Sequence, residues 1–274
     1  MWKDLKVTLY DIFGYLLPGS VALGALHLCL TGLAGHTKLG DLYLSWGVWV
    51  LYLSWEVWVL LGLIAYYLGH VVQGIGNGFE WLIGAKGGAG EVILGKAREA
   101  GKRERFRKLI VGKHWVPIDP NLRQETEDRI NARVAKIFQP SMPTTNDTKD
   151  DESYKWLYDC CAEVIAQYGL GEQREMYEYR EGFYRGSAIA FVLLAGSILT
   201  VLHCPANLSS GLSVITLLSA AFCSLLAAFL CFRRYGRFSA SRVKRTLLGF
   251  LVLDKELQRK QEELQRKQGQ VGGE

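Results

Sequence analysis

Four long stretches of this 274-residue chain hold a single charged residue between them, and the usual marks of catalysis and metal binding are missing from the rest. None of the five histidines stands at a metal-ligating spacing such as H-E-x-x-H. The six cysteines include no C-x-x-C and complete no Cys/His quartet at zinc spacing. There is no serine nucleophile elbow, no pair of carboxylates placed for acid–base work and no Cys–His arrangement. These gaps leave no catalytic residue, metal or cofactor to assign, and a non-enzymatic protein is expected. Strand patterns are missing as well, so the expected fold class is all-α.

One glycine-rich segment has to be tested as a phosphate loop. Lys86-Gly-Gly-Ala-Gly90 has the glycines, but Glu91 and Val92 follow where lysine and a hydroxyl residue are required. A glutamate there would repel a nucleotide. Residues 84–90 are read as a flexible turn.

What the chain does have is apolar blocks, hidden by a mean hydropathy of only +0.08. They cover about 12–33, 42–75, 187–204 and 211–232. A helix needs about 20 apolar residues to cross a hydrocarbon layer of roughly 30 Å. The reading is four transmembrane helices in two hairpins around a helical cytosolic module. Its boundaries are 1–75, 76–186 and 187–232, with a basic cytosolic tail over 233–274. Lys3 and Lys6 before the first block imitate a signal peptide, but Asp11 and Pro18 interrupt the run and no cleavage site follows. The segment is expected to be retained.

Positive charge sets the orientation. With both termini in the cytosol, Lys38 is the only one of the 32 Lys and Arg residues left outside. Lys3 and Lys6, Arg180 and Arg185, and Arg233, Arg234 and Arg237 flank the blocks on the inner side, as the positive-inside rule requires. The expected location is the cell inner membrane, multi-pass. Cys160-Cys161 would then lie in a reducing compartment, and disulfides are not expected.

Within the first block, Pro18-Gly19 predicts a kink, since a proline in a helix removes one backbone hydrogen bond. Gly24 is expected to let a neighbouring helix approach. The second block holds a tandem repeat: Leu42-Tyr-Leu-Ser-Trp-Gly-Val-Trp-Val50, then Leu51-Tyr-Leu-Ser-Trp-Glu-Val-Trp-Val59. A single helix over 42–72 would measure roughly 46 Å, more than the membrane needs. Either it tilts or its first copy lies in the outer interface.

Glu56 is the sharpest residue of the repeat. Inside an apolar helix a carboxylate marks a pore or proton path. If 51–72 is the true span, Glu56 instead lies at the outer interface. His70, Gln73 and Asn77 share one helical face by spacing and are candidates for a polar network or a cytosolic vestibule, beside the simpler reading of an interfacial histidine.

In the polar middle, Asp119-Pro120 starts a helix with aspartate as N-cap and proline in the first turn. That helix should run to about Phe138. A second, from about Ser153 to Tyr168, carries Trp156, Cys160, Val164 and Tyr168 at spacing four, expected to pack against the first. After Gly169-Leu170-Gly171 a third helix should run into the third apolar block. The tail becomes helical after a basic run. Val243, Leu247, Phe250, Leu257 and Leu264 form a heptad seam that Asp254 and Gln261 interrupt. It reads either as a solvated helix or as a coiled coil joining subunits.

Lys102, Arg103, Arg105, Arg107 and Lys108 surround one aromatic, Phe106. Together with Arg233, Arg234 and Arg237 they suit anionic lipid, each basic residue contributing about 1 kcal/mol at such a surface. Nucleic acid is the less economical partner. The expected partners are the lipid bilayer, a second copy of the chain and a soluble cytosolic protein.

Tyr10-Asp-Ile-Phe-Gly-Tyr-Leu-Leu-Pro-Gly19 and Tyr67-Leu-Gly-His-Val-Val-Gln73 together resemble a loose group of uncharacterised bacterial multi-span inner-membrane proteins. Some of these are encoded near anti-phage defence genes. The resemblance implies a membrane-perturbing effector or a sensor in bacterial defence, and it transfers no catalytic residue. A membrane anchor recruiting a soluble partner is the alternative. A small transporter is a third, disfavoured by the lack of an inverted repeat.

Overall fold

In the computed structural model the chain is all-α. The structure describes residues 2–33, 54–82, 88–94, 102–137, 150–203 and 214–271. Among them are eight helices: α1 Trp2–Leu33, α2 Trp55–Leu82, α3 Gly88–Leu94, α4 Lys102–Val111, α5 Pro120–Ile137, α6 Asp150–Gln167, α7 Glu172–His203 and α8 Val214–Val271. Four of them, α1, α2, α7 and α8, are long and apolar enough to cross a membrane. The first copy of the repeat and both loops expected outside lie beyond the described residues.

The chain divides into two compact units. One comprises Met1–Leu82, Leu109–Val111 and Tyr179–Gly236; the other comprises Ile83–Lys108, Gly112–Glu178 and Arg237–Glu274. Helices α7 and α8 each supply residues to both. The tail helix does not begin after a basic linker, as expected; α8 continues unbroken for 58 residues from the fourth apolar block.

In the first unit, α1 packs along α2. The packing depends on missing side chains. A methyl on Gly19 would overlap the carbonyl of Ala65, and one on Gly69 would overlap the carbonyl of Tyr15. The close approach expected at Gly24 falls at Gly19 instead, and a methyl on Gly24 would meet nothing within 4 Å. The unit's interior is built mainly from small residues such as Ala22, Ala25, Ala65, Ala188, Ala190 and Ala221. Leu30, Leu60, Leu63, Phe222 and Leu230 point outward, each more than half exposed. Small residues inside and large apolar ones outside reverse the order of a water-soluble core, and suit helices that meet each other closely and face lipid.

The second unit has a conventional core. Ala89, Ile93 and Leu94 of α3 are fully buried. The glycine-rich segment is therefore not a turn throughout, since its last three residues open a helix. Helix α5 starts as its sequence dictates, with the Asn121 N–H donating to Asp119 Oδ1 at 2.8 Å. Helix α6 ends in a Schellman arrangement: Gly169 has φ +72°, its N–H donates to Ala166 O, and the Leu170 N–H donates to Ile165 O.

The face that α6 buries differs from the expected one. Leu157, Cys161 and Ile165 are buried, while Trp156 and Tyr168 are exposed. The stripe keeps spacing four but is displaced by one residue, about 100° around the helix. Branched aliphatics fill the core, and the amphipathic rings keep an edge in solvent. The start of the predicted tail seam, Val243, Leu247 and Phe250, is buried within this same unit, whereas Leu264 is 59% exposed. Asp254, expected to interrupt the seam, is held by Arg129 and Arg133 at 3.2 Å each.

Substitution of Gly19 or Gly69 by alanine should destabilise the protein by about 1–3 kcal/mol. Gly24→Ala should be neutral or slightly stabilising, because alanine favours helix and nothing stands in its way. Thermal unfolding in detergent checks the contrast.

Burial, aided by the neighbouring Cys160, pushes the Cys161 thiol up to about 12. The thiolate is the reacting form, so maleimide at pH 8 should modify Cys161 at least about tenfold more slowly in the folded chain than in an unfolded control. The folded chain keeps this proton at a pH where the unfolded chain, with its ordinary thiol value of 9.0, has lost it. The thiol's contribution to stability is thus complete below about pH 9 and lost as pH rises toward 12.

Candidate functional site

Polar side chains gather in the first unit where its apolar helices turn polar. Arg185 immediately precedes the apolar part of α7, and Tyr235 follows closely on that of α8. From Gly186 to His203 the helix rises about 27 Å, and from Val214 to Phe232 about 28 Å. Both lengths approach the thickness of a bilayer's hydrocarbon core. Glu80 lies near the end of α2 and joins them.

The three groups meet directly. Arg185 Nη1 donates to Glu80 Oε1 at 2.6 Å. The Tyr235 hydroxyl donates to the same oxygen at 2.5 Å. Glu80 and Tyr235 are buried, and the Arg185 side chain is only 16% exposed. Glu181, one helical turn before Arg185, is also buried. Each charge would be costly alone in such surroundings, and each makes the other tolerable. Space for the guanidinium comes from Gly76 of α2: a methyl there would stand 2.8 Å from Arg185 Cγ. Phe79 stacks on Phe232 at 4.5 Å between centroids beside the cluster. Gly236 lies against the Val111 carbonyl, which a methyl would overlap, and Arg233 Nη1 donates to Leu109 O at 3.4 Å.

A second polar contact repairs a defect in α1. Pro18 lies inside the continuous helix and has no N–H to give to the carbonyl of Gly14. Gln73 Nε2 reaches across from α2 and donates to that carbonyl at 3.3 Å. In an apolar bundle such a freed carbonyl needs a partner from a neighbouring helix. Gly182 and Gly186 of α7 lie close to Gln73, and a methyl on Gly186 would stand 3.4 Å from Pro18 Cβ. The proline and the glutamine thus belong to one contact of three helices.

The residues grouped by sequence separate here. Gln73 makes the contact just described. His70 stacks on the Tyr15 ring at 3.7 Å and meets Tyr66 edge-on at 4.9 Å, and Asn77 is exposed. Glu56 lies in the first turn of α2, fully exposed, accepting a hydrogen bond from the Ser54 side chain. It stands about 21 Å of helix rise from His70, so the two do not form one path. An acidic residue in the first helical turn is favourable in itself.

Of the basic residues, Arg105 and Lys108 are exposed, with Lys108 paired to Glu104 at 2.6 Å. Arg107 is half-buried, and Arg233, Arg234 and Arg237 are exposed. Phe106 and Leu109 are exposed beside them, which gives α4 both charge and apolar surface. The side chains of Lys102 and Arg103 lie outside the described residues.

Sequence reading missed Glu80 and Tyr235 and noted Arg185 only as a marker of orientation. Opposite charges within two turns of two different apolar blocks were the available signal. Among the described residues no group of three or more His, Cys, Asp and Glu is placed to hold a metal ion.

Replacing Glu80 or Arg185 singly by leucine should cost about 3–5 kcal/mol, because a buried charge is left unpaired. The double replacement should cost clearly less than the sum. Tyr235→Phe should cost about 1–3 kcal/mol. Denaturant unfolding in detergent with a double-mutant cycle measures the coupling, and strictly additive losses would contradict it.

Compared with known proteins, the chain matches no family model, no curated protein and no solved structure.

Proposed function

We propose that this chain is a non-enzymatic membrane effector or sensor of the bacterial inner membrane, with both termini in the cytosol, which perturbs that membrane when its bundle is released. The observation that carries this is the Glu80–Arg185–Tyr235 cluster, an ion pair and hydroxyl buried among three long apolar helices. A purely structural anchor has no need of so costly a group there. In the proposed account the cluster is a latch. Paired, it holds the ends of α2, α7 and α8 together; unpaired, it leaves a charge that only water can accommodate, and the bundle hydrates. The two-hairpin topology and a cytosolic module over 76–186 complete the picture. Helices α7 and α8, which supply residues to both units, give a cytosolic trigger a continuous route. Exposed Phe106 and Leu109 beside Arg105 and Lys108 suit contact with anionic lipid. The resemblance at the start of the first block and near the end of the second extends the proposal to bacterial defence.

One observation favours the adaptor reading. The ring-bearing stripe of α6 faces outward, with Trp156 37% and Tyr168 49% exposed. Exposed aromatics of this kind suit a soluble partner protein.

The test is membrane potential in bacteria during induced expression. Glu80→Gln and Arg185→Gln should depolarise the cells more than the parent chain at equal expression. Glu56→Gln should behave as the parent does, since Glu56 is exposed far from the latch. Unchanged potential in every strain would leave the effector reading without support and favour the adaptor.

A further inference from the structure

The last turn of α4 meets α8 at the level of the latch, and two contacts fix it there. Arg233 Nη1 donates to Leu109 O at 3.4 Å, and Gly236 lies against the Val111 carbonyl. Tyr235 of the latch stands between those two α8 residues in sequence. The side of α8 that α4 meets faces outward. The Arg233 guanidinium lies 5.7 Å from the ring centroid of Phe229, which is 38% exposed on the apolar part of the helix. One arginine thus joins an outward-facing ring to the end of α4, where α8 leaves its apolar stretch. The exposed face of α4 has the composition of a helix lying in an interface. At about 100° per residue, Lys108, Arg105, Leu109 and Phe106 follow one another around an arc of about 160°. All four are exposed, Leu109 to 63% and Phe106 to 47%. Lys108 pairs with Glu104, yet its side chain keeps 57% exposure. A surface pair of this kind contributes little and leaves the ammonium available to another anion. Half of the arc is basic and half apolar. That pattern suits a helix whose apolar edge enters the acyl boundary while its charges meet phosphates. A soluble acidic partner would have no use for Leu109 and Phe106, and a neutral membrane none for Arg105 and Lys108.

We propose that α4 lies in the headgroup layer of the inner leaflet, recognises anionic lipid through Arg105 and Lys108, and so clasps α8 beside the latch. Leu109 and Phe106 enter the acyl boundary, and lipid phosphates bind the two basic side chains. Anionic lipid holds α4 down, and with it the Leu109 and Val111 contacts to the residues that flank Tyr235. Exposed Arg233 and Arg234 add charge at the same level of α8. The inference rests on the membrane reading of the proposed function and adds to it a lipid class and a hold on the latch.

Leu109→Cys, in a full-length chain otherwise free of cysteine, carries an environment-sensitive fluorophore in liposomes of phosphatidylcholine with increasing phosphatidylglycerol. Lipids with a nitroxide near the headgroup end of the acyl chain are the quenchers. Quenching should rise with phosphatidylglycerol and saturate. Arg105→Gln and Lys108→Gln should each weaken the response about fivefold. Glu104→Gln, which releases Lys108, should strengthen it. The melting temperature of the parent chain in nanodiscs should rise with phosphatidylglycerol, and that of the variant lacking both basic side chains should not. A second label, at Phe222→Cys on the outward face of α8, should be quenched by deep nitroxides with either headgroup. Quenching at 222 without quenching at 109 overturns the inference and leaves the membrane reading standing; quenching at neither position overturns both. Quenching at 109 that ignores phosphatidylglycerol, or that survives the loss of both basic side chains, overturns the recognition of anionic lipid. A parent melting temperature that phosphatidylglycerol leaves unchanged overturns the clasp.

Discussion

A carboxylate, a guanidinium and a phenol meet where three long helices pass from apolar to polar sequence, and the first unit depends on that meeting. Glu80 has two donors on one oxygen, from Arg185 and Tyr235. Three helices of different origin in the chain are thereby fixed to one level. The surrounding glycines and alanines follow from the same constraint. Charged side chains pair only if the helices approach closely, and Gly76 supplies the room that the Arg185 stem requires. Van der Waals contact between backbones then substitutes for a large-residue core.

The same logic governs the proline in α1. A helix facing lipid cannot leave a carbonyl open, so Pro18 commits the structure to a donor at a matching height on another helix. Gln73 is that donor. Its partner residues Gly182 and Gly186 lie close to Arg185 in sequence, so the repair of α1 and the ion pair share α7. The second unit solves the opposite problem. Its core is made of branched aliphatics and Trp115, whose indole N–H donates to Ser239 Oγ at 2.9 Å, and its buried Asp254 is paired by two arginines.

Much of the architecture was legible locally. The described parts of the four apolar blocks, the Asp119-Pro120 start and the Gly169 stop each depend on a few neighbouring residues, and each is found as helix, cap or turn. What escaped notice depends on contacts across long stretches of chain. Glu80 and Arg185 are separated by 105 positions, and Gln73 and Gly14 by 59. No periodicity reveals such pairs. The α6 face was displaced because Trp156 and Tyr168 count as apolar by composition, while their polar edges favour solvent. Gly24 and Gly19 are equivalent in sequence terms, and only the crossing point with α2 distinguishes them. Asp254 looked like a flaw in a heptad because its partners, Arg129 and Arg133, lie on another helix.

The central claim is that the apolar parts of α1, α2, α7 and α8 span a membrane with the Glu80 layer at one face. Single cysteines at positions 55, 77 and 237, introduced into a chain otherwise free of cysteine, test it with a membrane-impermeant maleimide. In intact cells opened to the periplasm the account predicts labelling at 55 alone, and labelling at 77 and 237 only after the inner membrane is broken. Labelling of all three positions from the same side would contradict it.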